Sequence, residues 1–221
     1  GVELFYANAE NDKQKQIDDV ENMLLQDIDL LLLAPVYGQA AVPAVEKANE
    51  AGIPVVIAIR ATPAKNIISF VNGDDIVAGR SAADYIATKL NGKGKIVELV
   101  GPLGASPFIL RSQGFNDVID TYPELEIVAQ QVADANRAKA VSIMENIITA
   151  TPEIDAVFGA NDEMAIGAYE ALKAAGREKD VVIIGVGGTM ETFESIRDGI
   201  LTADIAYPTN MGPRALELAV N

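Results

Sequence analysis

Asp155-Ala-Val-Phe-Gly-Ala160 is an apolar run, and Asn161-Asp-Glu-Met-Ala-Ile-Gly-Ala-Tyr-Glu-Ala-Leu-Lys-Ala-Ala175 follows it directly, up to Gly176. The first stretch is too short for a buried helix and reads as a strand buried on both faces. The second reads as a helix from Asp162 to Ala175. Asp162 is the expected N-cap, because its carboxylate can accept an orphan backbone N–H. Gly176 is the expected terminator. A strand that passes straight into a helix is half of a β-α-β unit, and the same half-unit recurs in both directions.

Downstream, Val181 to Val186 reads as a strand and Met190 to Asp198 as a helix ending at Gly199. Ala203 to Ala206 is a further strand, and a helix begins at Met211. Upstream, Lys95 to Val100, Pro107 to Tyr122, Glu126 to Val132 and Arg137 to Ala150 alternate as strand, helix, strand, helix. Before Gly73 the order is strand Val2 to Ala7, helix Asp12 to Leu25, strand Asp29 to Ala34, helix Val42 to Ala51, then strands Ile53 to Ile59 and Ile67 to Val71. The first of those helices is amphipathic, with Ile17, Val20, Met23 and Leu24 on one face. Asp74 or Asp75 can cap the helix that runs on to Leu90.

Near-continuous apolar strands separated by helices imply parallel sheets covered on both faces, an α/β fold. So many units exceed one small sheet. A break near Gly73 gives two similar lobes, one of residues 1–73 with 208–221 and the other of residues 74–207. A single β/α barrel is the alternative; irregular element lengths, and a strand at Ile67 with no helix before it, weigh against it.

Composition narrows the function. The 221 residues are 49% hydrophobic, enough for two small cores. The formal net charge of -15 argues against nucleic acid or an anionic membrane as partner, since both need a basic face. With no cysteine and no histidine, thiol nucleophiles, disulfides and imidazole bases are excluded within this chain. No apolar run has the length of a membrane span. The chain opens on a strand without an initiator Met, so an N-terminal segment is expected to be missing.

In open parallel sheets ligands bind outside the carboxyl ends of the strands. The residues there are Asn8; Pro35 and Tyr37; Arg60; Gly101 to Ser106; Asp134 to Asn136; Asn161 and Asp162; and Gly187 to Thr189. Amides, hydroxyls, a guanidinium and glycines suit hydrogen bonding to a small polar molecule. No nucleophile has a base beside it, so catalysis is not expected, and no cofactor or metal is implied. Gly185-Val-Gly-Gly-Thr189 invites a dinucleotide reading with Asp204 downstream, but Met190 stands where the third glycine belongs.

Four segments then carry a resemblance. Val157 to Ala168 resembles the F-x-x-N-D-x-M-A-x-G-A segment of periplasmic sugar-binding proteins of the ribose-binding type. Ile53 to Arg60 resembles their I-P-V-(apolar)-D-R strand. Glu98 to Gly101 with Arg111 to Phe115 is similar to their strand, loop and R-x-x-G-F helix, and Asp180 to Thr189 to their V-x-G-F-D-G-T strand end. The match runs in register over nearly the whole chain. It implies the type I periplasmic binding fold, with one more strand and helix before Val2 and further elements beyond Asn221.

By that resemblance, Arg60 and Arg111 align with ligand-contacting arginines, each a fixed fork of donors suited to hydroxyls or a carboxylate. Arg60 could instead pair with Asp74, and Arg111 could be a solvated helix charge. Asn161 is expected to read a ligand hydroxyl. Asn136 could do so or cap its own helix. Tyr207 could bond the ligand or pack in a hinge, and Tyr37 could stack on a sugar face or simply pack. The chain departs from the ribose pattern at Ile59 and Gly187, where aspartates are usual, at Ala135, where an aromatic is usual, and at Tyr207, an amide position. Two cations without those acceptors suggest a ligand other than ribose that carries an anionic or acceptor-rich group.

The resemblance further implies the solute-binding component of an ABC-type uptake system. Such a protein is a monomer that closes about its ligand and docks on a membrane permease or a chemoreceptor. It works in the periplasm, or outside a Gram-positive cell on a lipid anchor. The alternative with the same fold is the effector domain of a LacI-type repressor, and an enzyme is the more distant rival.

Overall fold

A computed structural model of the chain describes residues 2–208 and 210–220. Gly1, Thr209 and Asn221, which the two-lobe expectation includes, lie outside the described residues. The helices are α1 (Lys13–Leu24), α2 (Val42–Glu50), α3 (Asp75–Lys89), α4 (Ser106–Ile119), α5 (Arg137–Ala150), α6 (Asp162–Ala174), α7 (Met190–Arg197) and α8 (Met211–Val220). The strands are β1 (Leu31–Leu33), β2 (Val55–Ala58), β3 (Ser69–Val71), β4 (Lys93–Val100), β5 (Glu124–Val132), β6 (Ala156–Gly159), β7 (Val182–Gly187) and β8 (Ala203–Ala206).

Contacts divide the chain into two compact units. One contains Gly1–Gly73, Gly104–Pro107 and Pro208–Asn221, the other Asp74–Leu103 and Phe108–Tyr207. Each unit has its own parallel sheet, in the orders β1-β2-β3 and β5-β4-β6-β7-β8. Two open sheets set aside the single barrel. The protein is α/β, with parallel sheets flanked by helices.

In the first unit the two faces of the sheet have separate covers. Leu31, Leu33, Val55 and Ile57 pack with Val20 of α1 and Ala44, Val45 and Ala48 of α2. Val56 and Ala58 point the other way, onto Ala215 of α8. That alternation explains why all four residues of β2 are buried, as a strand covered on both faces requires.

In the second unit β6 is likewise buried throughout. Phe158 from this strand stacks on Phe115 of α4 with ring centroids 4.3 Å apart. Helix ends follow local chemistry. Asp12 caps α1 by accepting from the N–H groups of Gln14 and Lys15 at 2.7 and 2.9 Å, and Asp74 caps α3 through Val77 N–H. Beyond α6, Gly176 has φ +67°, the left-handed turn that glycine makes without a Cβ penalty.

Two sequence expectations are corrected. Val2 to Ala7 is not a strand: Val2, Leu4 and Tyr6 are exposed, and no described strand lies beside them. Branched and aromatic side chains such as Val2, Phe5 and Tyr6 favour extended backbone, but a strand exists only through ladder bonds to a neighbour. Asp162 is not the N-cap of α6. Asn161 holds that position, its Oδ1 accepting Met164 N–H at 3.0 Å, and Asp162 is the first helical residue.

Candidate functional site

The strand order of the second unit reverses direction between β4 and β6, since β5 lies on one side of β4 while β6, β7 and β8 follow on the other. At such a switch point the loops after the two strands run to opposite faces and leave a crevice at their carboxyl ends. Arg111, one turn into α4, lies there. Its Nη1 donates to the carbonyl oxygen of Ala160, just past β6, at 2.8 Å.

Arg111 is not the solvated helix charge that sequence left open. It is 7% exposed, and its Nε donates to Asp75 Oδ1 at 2.9 Å. Asp75 is 1% exposed and accepts the Tyr207 hydroxyl on Oδ2 at 3.1 Å. The guanidinium carbon lies 4.6 Å from the Tyr207 ring centroid and 5.5 Å from that of Phe108. Burial, then the charge of Asp75, push the Tyr207 phenol up to about 12. Arg111, Asp75 and Tyr207 therefore form one buried polar cluster from three separated segments. The expectation that Arg111 lacks a carboxylate partner is corrected. Asp75 supplies one, and the sequence hinted at it only by placing a second aspartate directly after the helix cap.

The next strand ends carry the amides. Asn161 spends Oδ1 on the cap of α6, and its Nδ2 donates to the carbonyl oxygen of Ala135 at 3.4 Å. Asn136 caps α5 through Lys139 N–H at 2.9 Å, the structural role left open for it. Asp134 and Ala135 both take positive φ, +51° and +55°, so the chain turns sharply beyond β5 before that cap.

Gly187 closes β7. A Cβ there would lie 2.5 Å from a carboxylate oxygen of Asp162, so no side chain fits while Asp162 keeps this position. Asp162 itself is buried and accepts from Gly188 N–H at 3.2 Å, Thr189 N–H at 3.4 Å and the Thr192 hydroxyl. Sequence reasoning treated Asp162 as a cap and Asp204 as part of a discarded motif, and missed that a buried and a half-buried acid meet at this strand end. The available signal was an aspartate inside the short apolar strand Ala203-Asp-Ile-Ala206, where an ionisable side chain has no ordinary packing role.

The first unit contributes a smaller set. Arg60 follows β2, and its Nη1 donates to the carbonyl oxygen of Pro35, beyond β1, at 3.2 Å. Tyr37 is half-buried two residues further on. Thr62 Oγ1 donates to Gly38 O at 2.7 Å, and a Cβ on Gly38 would lie 2.0 Å from Ala61 O, so the two strand ends touch through backbone. The structure thus brings Arg111 and Tyr207 together, links Asn161 to Ala135, and places Arg60 and Tyr37 at neighbouring strand ends of their own unit. Among the described residues no helix is long and apolar enough to cross a membrane, and no cluster of acidic side chains could hold a metal ion.

A family model described as a periplasmic binding protein domain matches residues 1–221. The ribose import binding protein of Bacillus subtilis is 39% identical over 220 residues, covering 99% of this chain and 71% of that protein. Among solved structures, an ABC transporter solute-binding protein from Bacillus halodurans with bound myo-inositol superposes with a TM-score of 0.94 at 33% identity, covering 99% of this chain and 77% of that one. The fructose-binding periplasmic domain of a hybrid two-component system gives 0.93 at 35% identity, with 98% and 73% covered. The parallel sheets, the reversal of strand order and these matches agree: the chain belongs to the periplasmic binding protein family, with the type I architecture.

Proposed function

We propose that this protein is the solute-binding component of an ABC-type importer, and that it captures a small neutral carbohydrate or cyclitol at the carboxyl ends of its strands without altering it. The observation that carries this reading is the Arg111–Asp75–Tyr207 cluster. It fixes a guanidinium at the switch point with two of its five N–H groups already committed, so the rest of the fork is pre-oriented to donate to hydroxyl oxygens. Asp75 offsets the charge of Arg111, which removes half the motive for an anionic ligand.

The remaining contacts proposed are Arg60 and Tyr37 from the first unit, and Ala135, Asn136, Asn161, Gly187 and Tyr207 from the second. Ile59 and Gly187 replace the two aspartates of the ribose pattern, and this favours a ligand other than ribose. Capture proceeds by hinge closure about the crossings near Gly73 and Tyr207, because a closed form that bonds the ligand from both units is favoured only when ligand is present. The monomeric closed form then docks on a membrane permease. The protein works in the periplasm, or outside the cell on a lipid anchor.

A thermal-shift panel on the full-length protein tests the reading. Myo-inositol, fructose, arabinose, ribose and other neutral sugars are compared with uronic and phosphorylated sugars. A ligand at about 100 times its dissociation constant stabilises by about 2.7 kcal/mol. A clear rise with a neutral member is the expected result. A rise only with the anionic members would overturn the neutral assignment, and no rise with any member would overturn sugar capture.

A further inference from the structure

The end of β7 is held by an arrangement that ligand binding does not explain. Gly185, Gly187 and Gly188 leave a space without side chains beside β8, and two carboxyl groups fill it. A Cβ on Gly185 would lie 3.0 Å from Asp162 Oδ1 and 3.1 Å from Asp204 Oδ1, so both oxygens crowd one point above the backbone. Both are buried, and neither accepts from any donor among the described residues. Buried oxygens of this kind require a partner, and two carboxylates that turn shielded oxygens toward one point cannot both be ionised without a Coulomb cost.

The hydrogen bonds decide which group donates. Asp162 Oδ2 already accepts the N–H groups of Gly188 and Thr189 and the Thr192 hydroxyl, which leaves its Oδ1 as an acceptor. Asp204 is then the donor. Burial first, then the hydrogen bond to Asp162 and its charge, push the Asp204 carboxyl up to about 7, against the opposing pull of Ile205 N–H and Arg111. The charged groups around the pair are Arg111 from α4 and, on α3, which packs against β7 and β8, Asp75 bonded to that arginine. The facing part of β7 is glycine, and the start of α7 contributes the hydroxyls of Thr189 and Thr192.

We propose that Asp162 and Asp204 hold a single proton between them, and that this proton is a latch keeping the Gly188–Thr192 turn docked on the sheet. With the proton in place, Asp204 bonds Asp162, and Asp162 holds the turn and the first residues of α7. When the proton leaves, the two carboxylates repel, and Asp162 is drawn from the donors it holds. The turn follows a strand end at which ligand capture is proposed, so the latch makes that corner pH-sensitive; this last consequence alone rests on the proposed function.

The test needs no ligand, so its outcome is separate from that of sugar capture. Full-length protein carrying 13C at the aspartate carboxyl carbons is titrated by NMR from about pH 4 to about pH 9, beside Asp204→Asn. One aspartate resonance that shifts with a midpoint near pH 7 in the parent, and is missing from the variant, is expected. If every aspartate resonance completes its titration below about pH 5, as free carboxylates do, the shared proton is overturned. Hydrogen exchange at the Gly188 and Thr189 amides, corrected for intrinsic rates, reads the latch. Protection is expected to fall by roughly tenfold between about pH 6 and about pH 8.5 in the parent and to stay level in Asp204→Asn. Level protection in the parent would overturn the latch.

Discussion

Arg111 and Asp75 lie 36 residues apart in sequence and meet through Nε and Oδ1 at 2.9 Å, with side chains only 8% and 0% exposed. Neither charge can be hydrated, so each depends on the other. Removing one partner strands a buried charge, which typically costs about 3–5 kcal/mol, whereas replacing both by apolar groups of similar size is often close to neutral. Asp75→Ala is therefore expected to lower stability by about that amount in urea unfolding. The double variant Asp75→Leu with Arg111→Met is expected to recover most of the loss. A double variant as unstable as the sum of the single ones would mean that packing, rather than charge pairing, dominates.

Tyr207 is attached to the same pair by its hydroxyl and by its ring. Tyr207→Phe deletes the hydroxyl with its bond to Asp75 and should cost about 0.5–1.5 kcal/mol, while Tyr207→Ala also removes the ring face beside Arg111 and should cost more. The phenol gives a spectroscopic check. Its value is raised to about 12, so it stays neutral when ordinary tyrosines have ionised. Ultraviolet titration of the folded protein near pH 10.5 should yield the same tyrosinate signal for the parent and for Tyr207→Phe. A smaller signal in the variant would show that Tyr207 ionises normally.

Asn161 combines a helix cap with a proposed ligand contact, and two substitutions separate them. Asn161→Ala loses the cap and should cost about 1 kcal/mol. Asn161→Asp keeps an oxygen for Met164 N–H and loses the Nδ2 donor that reaches Ala135. Thermal unfolding should leave the aspartate variant close to the parent. Sugar affinity, measured calorimetrically on the ligand found in the panel, should drop in both variants. Full affinity in Asn161→Asp would remove its amide from the binding set.

The raised Asp204 carboxyl also makes stability depend on pH, with a definite sign. The group keeps its proton to about 7 in the folded protein but only to the ordinary value of 3.8 when unfolded. Between those values the folded state binds more protons, so stability falls as the pH rises through this window and levels off above it. Asp204→Asn removes that contribution. The parent's urea midpoint, relative to the variant's, is expected to decline between about pH 4 and about pH 7. A difference that does not change with pH would show that Asp204 is ionised in the fold.

Much of the fold was legible from local pattern. The apolar runs that became β2 and β6, the helix spacing in α1, the acidic cap at Asp12 and the terminating glycine at 176 each act within a few residues. Val2 to Ala7 was misread because its apolar and aromatic side chains specify extended backbone and nothing more. Asn161 and Asp162 were exchanged because either side chain can cap a helix, and only the observed backbone separates the cap from the first helical residue.

The sequence by itself determined the α/β class, the exclusion of thiol and imidazole chemistry, and the strand ends at which a polar site could form. Each of these depends on composition or on short-range periodicity. Tertiary structure alone decided the pairing of Arg111 with Asp75 and Tyr207, and of Asp162 with Asp204, across as many as 132 residues of chain. The physical reason is that burial and charge compensation are properties of neighbours in space. An aspartate in a helix or a short strand has the same local signature whether it faces water, caps a turn or shares a proton.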